Sequence, residues 1–393
     1  MVYLRPDGSV GDITVGHARA VLPDRVVDNA RLVVRDGLIA EIGPQPAGTS
    51  CDLDARGALL LPGLVDVHSD VLMQEMRPRP VASVAPDLAV AAAGTRMRGV
   101  GATTVFHGVA FQDRTITGRA IQSPSGPDIY RAVSETHDRQ VSHGVLHRVD
   151  IRSDASWQVA EKVIRSHAGI PLVSHEDHTP GLGQFTDPDE MVRWLIAEES
   201  MTRQEARAHV ESLRLRREKA AQTGEAVLSC LGDLASAGAI RLAAHDLVTA
   251  DEVVQAAERG CAIAEFPTTM VAAQMARDAG MLVVAGAPNI VRGGSHAGNV
   301  SAEALVEAGL VDVLASDYMP SSVLLAIRIL VGKGVLPMPA AARLATTGPA
   351  SCAGLVDRGA LRQELRADFI LVDFGRVWPS VLTFTADSDE SLS

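Results

Sequence analysis

The residues best suited to chemistry in this chain sit where apolar runs end. "LLPGLVDVHSD" (60–70) closes on His68, Ser69 and Asp70. Later runs close on His107, Asp150, the group His175-Glu176-Asp177-His178, His245-Asp246, Glu265 and Asp317. Positions i and i+2 of a strand point the same way, so His68 and Asp70 are expected to share one face. Imidazoles and carboxylates without a thiolate suit Zn²⁺, Mn²⁺ or Fe²⁺ and disfavour a structural cysteine–zinc site. One strand-end histidine is more often a structural residue. Seven runs of eight ending in such groups point elsewhere, because buried Asp, Glu and His without partners are costly and a bound cation offsets that cost. The donors are numerous enough for one divalent ion or two.

A second kind of chemistry is the capture of phosphate. "PNIVRGGSHAGN" (288–299) brings Arg292, two glycines, Ser295 and His296 together before an expected helix. Gly293 and Gly294 permit close backbone approach, and a helix N-terminus favours an anion. Arg77 and Arg79 lie in "RPRP" (77–80), where the prolines stiffen the chain and the planar guanidinium suits phosphate. The bland alternatives are a glycine-turn loop and two exposed arginines.

Positioning these groups requires a scaffold. Strands are expected at 64–70, 102–108, 144–151, 170–177, 240–246, 261–266, 281–287 and 311–317. Amphipathic helices at 86–98, 155–167, 249–259, 268–279 and 299–309 lie between them. Eight strands alternating with helices predict an α/β fold, a (β/α)8 TIM barrel whose site forms at the C-terminal face. An open doubly wound sheet would carry a glycine-rich phosphate loop after its first strand, and none is present. Residues 187–224 read as a long, charged helical excursion, a surface segment or a lid. Residues 1–57 read as short strands and 364–374 returns to strand-like alternation, so both termini are expected to build one small β-sandwich domain. The expected boundaries are 1–57, 58–354 and 355–393, with the polar ending "TADSDESLS" (385–393) disordered.

Composition narrows the function. A net charge of −12 argues against general nucleic-acid binding. No apolar segment reaches the length of a membrane span, and the N-terminus lacks a signal-peptide pattern. Four scattered cysteines without a CxxC pair suggest reduced thiols and a cytoplasmic protein. A homodimer would be unsurprising.

The motifs resemble a known family. "VDVHSD", the eight repeats, a late "ASD" and a β-domain from both ends are similar to the amidohydrolase superfamily of metal-dependent hydrolases. Members often bridge two metals with a carbamylated lysine after strand four. Lys162, Lys219 and Lys333 end no strand, so a carboxylate would have to replace it: Asp177, Glu176 or Asp150. "GATTVFHG" (101–108), "HEDHTPGLGQF" (175–185), "AEFPTT" (264–269), "PNIVRGGSHAGNVSA" (288–302) and "ASDYMPSSVLLA" (315–326) more closely resemble one branch. That branch is the alpha-D-ribose 1-methylphosphonate 5-triphosphate diphosphatases of the carbon–phosphorus lyase pathway. The resemblance implies hydrolysis between the alpha and beta phosphates of a small phosphorylated substrate, releasing pyrophosphate. It implies His68, Asp70, Asp177, His245 and Glu265 as metal ligands, and Asp317 as ligand or general base. Arg77, Arg79, His178, Arg292, Ser295 and His296 are then the expected substrate-binding residues. His107 and His175 depart from the branch and are expected as extra imidazoles at the mouth, able to alter metal or substrate. The alternatives are hydrolysis of an amide, lactam or deaminatable C–N bond, and an inert barrel serving as a binding protein.

Overall fold

Alternation of apolar residues along eight short segments builds the centre of the molecule. The computed structural model describes residues 9–79, 82–112, 124–137, 140–295, 298–375 and 378–386. Its eight parallel barrel strands are, in order, Leu64–Ser69, Ala102–Ala110, Ser142–Asp150, Leu172–Glu176, Arg241–His245, Ile263–Glu265, Leu282–Gly286 and Val313–Ala315. Each pairs with its sequence neighbour. The first and eighth meet through a Ser69–Asp317 bridge, with Asp317 N–H donating to the His68 carbonyl and Asp70 N–H to the Asp317 carbonyl, both at 2.9 Å. All eight strands expected from the sequence are present.

Residue parity decides what faces inward. Val67, Phe106, Leu146, Leu172, Ile263 and Val313 pack together inside the barrel. Their neighbours Val105, Val145, Val173, Leu242, Ala264 and Leu314 pack outward against the helix layer. The strand ends of the inward set therefore open on one face of the barrel, as the period of two requires.

The two chain ends form a separate mixed sheet. Its strand path runs Ser9–Val10, Ser380–Ala386, Phe369–Asp373, Leu59–Pro62, Ile13–Val21, Val26–Arg35 and Leu38–Pro44, with Leu53–Asp54 beside Ile13–Val21. Leu32, Leu60, Phe369 and Phe384 lie in its core. Leu59–Pro62 passes into the barrel through Gly63, where a Cβ would sit 2.2 Å from Thr103 Oγ1, so only glycine fits. The strand Ser380–Ala386 was not expected. Thr385 and Ala386 are buried in it rather than disordered, because they pair in parallel with Ser9 and Val10. Residues 387–393 lie outside the described residues.

The excursion after the fourth strand consists of helices Pro188–Glu199, Arg203–Lys219 and Ala221–Ser236. Asp187 caps the first, and Thr202 with Glu205 forms a capping box on the second. Met191, Val192, Leu195, Val210 and Leu213 give the first two a small core of their own. Among the described residues, no helix is long and apolar enough to cross a membrane.

Candidate metal centre at the barrel mouth

Glu265 ends the sixth strand, is 3% exposed, and stands between two imidazoles. Its Oε1 is 2.8 Å from His68 Nδ1 and its Oε2 is 2.7 Å from His245 Nδ1. Ser174 Oγ, inward on the fourth strand, donates to Oε2 at 2.6 Å. With both Nδ1 atoms engaged, the Nε2 atoms turn outward. His68 Nε2 lies 4.0 Å from Asp70 Oδ1, and His245 Nε2 lies 3.4 Å from Asp246 Oδ2. Three overlapping triads result, each with ligand atoms within 4.8 Å: His68-His245-Glu265, His178-His245-Asp246 and His68-Asp70-Asp317.

The electrostatics of this group favour a cation. Burial would lower the His245 imidazole, but Asp246, Glu265 and Glu176 hold it up at about 10. Burial would likewise raise Glu265, yet the charges and hydrogen bonds of His68 and His245 keep it well below the usual carboxylate range. Burial raises Asp317, and neighbouring Asp70 adds to the rise against the pull of His68 and Arg148. Asp246 Oδ2 is buried without a hydrogen-bond donor. A field strong enough to hold protons on imidazole is one that also attracts a divalent ion. Asp246, Phe266 and Asp317 all hold positive φ (57°, 54° and 53°), so the ends of strands five, six and eight share a backbone conformation rare for such residues. Residues present and donor chemistry fit a divalent metal.

Above the triads lies a cavity of about 470 Å³. His68, Asp70, His178, His245, Asp246 and Asp317 line its base, and Arg148, Trp194, Arg292, Ser295 and Tyr318 line its walls. Arg292 Nη1 donates to Tyr318 Oη at 3.2 Å. The loop expected around Arg292 is partly the short helix Ala287–Arg292, and the helix after it begins at Ala302. His296 lies outside the described residues.

Several expected site residues stand elsewhere. Asp177 does not join the triads: it pairs with Arg152 at 2.6 Å and Arg217 at 3.2 Å. Asp150 accepts two bonds from Arg217, at 2.8 and 2.9 Å. Asp150 continues the inward Leu146–Arg148 line, but Arg217 occupies both of its oxygens. Arg77 and Arg79 are exposed and are not among the residues lining the cavity. His107 and His175 are not extra imidazoles at the mouth, because both occupy outward positions. His107 Nε2 is 2.8 Å from His143 Nδ1 under the helix layer, and His175 packs by Cys261 at 3.7 Å.

Arg148 and Asp246 are residues at the mouth that sequence reasoning did not single out as site residues, and Arg148 is the more deeply tied to it. Arg148 points inward from the third strand, pairs with buried Glu176, and donates to Asp70 Oδ1 at 3.3 Å. A Cβ on Gly108 would come 3.1 Å from its Cδ, so the glycine makes room for it. The available signal was its spacing of two from inward Leu146. Trp194 gave no local signal, since only docking of the excursion brings it to the mouth.

A barrel of this construction, with a small sheet from both termini and imidazoles and carboxylates at its mouth, is the fold of the amidohydrolase superfamily of hydrolases. Over 96% of each chain it matches 5-methylcytosine deaminase from Klebsiella pneumoniae with a TM-score of 0.64 at 16% identity. Over 96% of this chain and 95% of the other it matches enamidase, described as a member of that superfamily, at 0.54 and 15%. No protein-family model matches the chain. In sequence it is 34% identical over 364 residues to alpha-D-ribose 1-methylphosphonate 5-triphosphate diphosphatase of Escherichia coli (strain K12), covering 91% of this chain and 94% of that relative. The chain belongs to that diphosphatase family, and is a hydrolase.

Proposed function

We propose that this chain hydrolyses the anhydride between the alpha and beta phosphates of alpha-D-ribose 1-methylphosphonate 5-triphosphate, yielding pyrophosphate and the 5-phosphate. The observation that carries this reading is the relative of that activity, matched along 94% of its length, and a cavity lined by imidazoles, carboxylates and arginines is consistent with it. His68, Asp70, His178, His245, Asp246 and Asp317 would hold one or two divalent ions (zinc, manganese or iron). Bound there, such an ion acidifies water and offsets phosphate charge. Glu265 was expected as a ligand. We give it a different part, orienting His68 and His245 through Nδ1 so that their Nε2 atoms face the cavity.

Asp317 lies at the base of the cavity and takes the proton of the attacking water. Arg292 and Ser295 receive the polyphosphate from the wall, and Arg148 adds a fixed positive charge. Asp177 and Asp150 act as structural anchors, while Arg77 and Arg79 have no part that geometry supports. Four free thiols support a cytoplasmic setting.

Phosphorus NMR of the products tests the reaction. Pyrophosphate must accumulate in step with the 5-phosphate; orthophosphate alone would overturn the reading. Faster turnover of a dipeptide, lactam or aminopyrimidine would favour C–N hydrolysis instead.

A further inference from the structure

The helical excursion packs beside the mouth of the barrel, anchored through Arg217 and approaching the loop after strand seven. On one side Arg217, from Arg203–Lys219, binds Asp150 through both Nη atoms and reaches Asp177 at 3.2 Å, while its Nε donates to Thr179 Oγ1 at 3.0 Å. These partners end strand three and flank His178 after strand four. On the other side Glu190 approaches the loop after strand seven, where a Cβ on Gly298 would lie 3.9 Å from its Oε1. Helix Pro188–Glu199 thus reaches the cavity, and Trp194 is its residue in the lining.

That helix buries Met191, Val192 and Leu195 against its own partner helix, at 0–4% exposure. Trp194, one residue from this apolar face, is instead 41% exposed and lines the cavity. A large aromatic held at a cavity rim by a helix packed on its anchored neighbour is placed to cover a ligand, at little further entropic cost. The walls divide the chemistry. Imidazoles, carboxylates and Arg292 serve charged groups, whereas the indole face suits the C–H face of a sugar ring.

We infer that Trp194 is a specificity-determining residue that packs on the sugar of a pentose 5-phosphoryl substrate. This inference rests on the proposed reaction for the choice of sugar. Tryptophan emission of the metal-loaded protein tests it without turnover. Ribose 5-phosphate is expected to change the emission, inorganic pyrophosphate to leave it unchanged, and Trp194→Phe to abolish the response. Trp194→Ala is expected to raise KM for the ribosyl triphosphate about tenfold while the inhibition constant of pyrophosphate stays within about twofold. A response that survives Trp194→Phe overturns the inference. So does no response to ribose 5-phosphate, or equal weakening of sugar phosphate and pyrophosphate in Trp194→Ala, since the ring would then only support its helix. Pyrophosphate release without a Trp194 response sinks the contact and leaves the reaction standing. A Trp194 response without pyrophosphate release does the reverse.

Discussion

Replacing Arg148 with methionine removes the guanidinium that faces Glu176 inside the barrel. Glu176 is 1% exposed and the Arg148 side chain 20%. Taking one partner from a buried pair costs about 3–5 kcal/mol, since the remaining charge keeps its desolvation cost. The contact to Asp70 at 3.3 Å is more exposed and adds less than about 1 kcal/mol. Urea unfolding of the metal-free variant at pH 7 should therefore show a loss near 3–5 kcal/mol. The pH dependence carries a second signature. Burial pushes the Glu176 carboxyl up, but Arg148 and the nearby His178 and His245 hold it at about 2, below its ordinary 4.5. Its stabilising contribution is therefore full above pH 4.5 and lost as pH falls toward 2. In Arg148→Met burial prevails, the carboxyl rises, and that acid-side loss should shrink or vanish. A loss below about 1 kcal/mol with an unchanged acid limb would refute Arg148 as the group that neutralises Glu176.

Asp317→Asn is expected to keep the fold and lower kcat by about 10² to 10⁴ with a small change in KM, read by pyrophosphate release. Metal content measured on the same variant separates the roles, because loss of bound metal would make Asp317 a ligand first. His147, buried in the helix layer, is held down to about 3, first by burial and then by His167. The unfolded chain therefore binds a proton near pH 6.5 that the fold refuses, and this group's contribution falls as pH drops from 6.5 toward 3. His147→Gln should remove about 1.4 kcal/mol of the stability difference between pH 7.5 and 5.5, and an identical difference in both proteins would exclude His147 as its source. Gly348→Ala would place a Cβ 2.1 Å from the Asp312 carbonyl oxygen. Backbone cannot yield as a side chain does, so a loss of about 1–3 kcal/mol or more is expected, visible as a lower Tm. An unchanged Tm would mean that helix Thr347–Ala353 shifts freely.

The eight barrel strands were legible because each is a short apolar run ended by a polar group, and period two needs no tertiary knowledge. The convergence of His245 and Asp317 was legible for the same reason, since each continues an inward line, whereas His68 follows inward Val67 and reaches the mouth through the register shift between Asp66 and Ser69. Asp177 misled because a carboxylate beyond the strand end has no fixed parity, and Arg152 and Arg217 reach it from elements distant in sequence. Arg148 carried no ligand signature, because a guanidinium pairs with carboxylates and does not bind a metal. His107 and His175 have the right residue type on the wrong parity. Ser380–Ala386 was missed because its first half, Ser380–Leu382, is exposed or half-buried, and burial begins only at Thr383 and runs through Ala386.

The pairing of Phe369–Asp373 with Leu59–Pro62 fixes when the molecule can be completed during synthesis. The meander Ile13–Val21, Val26–Arg35 and Leu38–Pro44 closes on local contacts as soon as it leaves the ribosome. Leu59–Pro62 follows at once, but its partner edge emerges about three hundred residues later, after every barrel strand has been made. Until then Leu60 lacks Phe369 and Leu371 from its core, and an apolar strand edge stays open to other chains. A nascent chain halted after Gly354 would hold all eight barrel strands and still present that unpaired edge, which Phe369–Asp373 covers in the finished molecule.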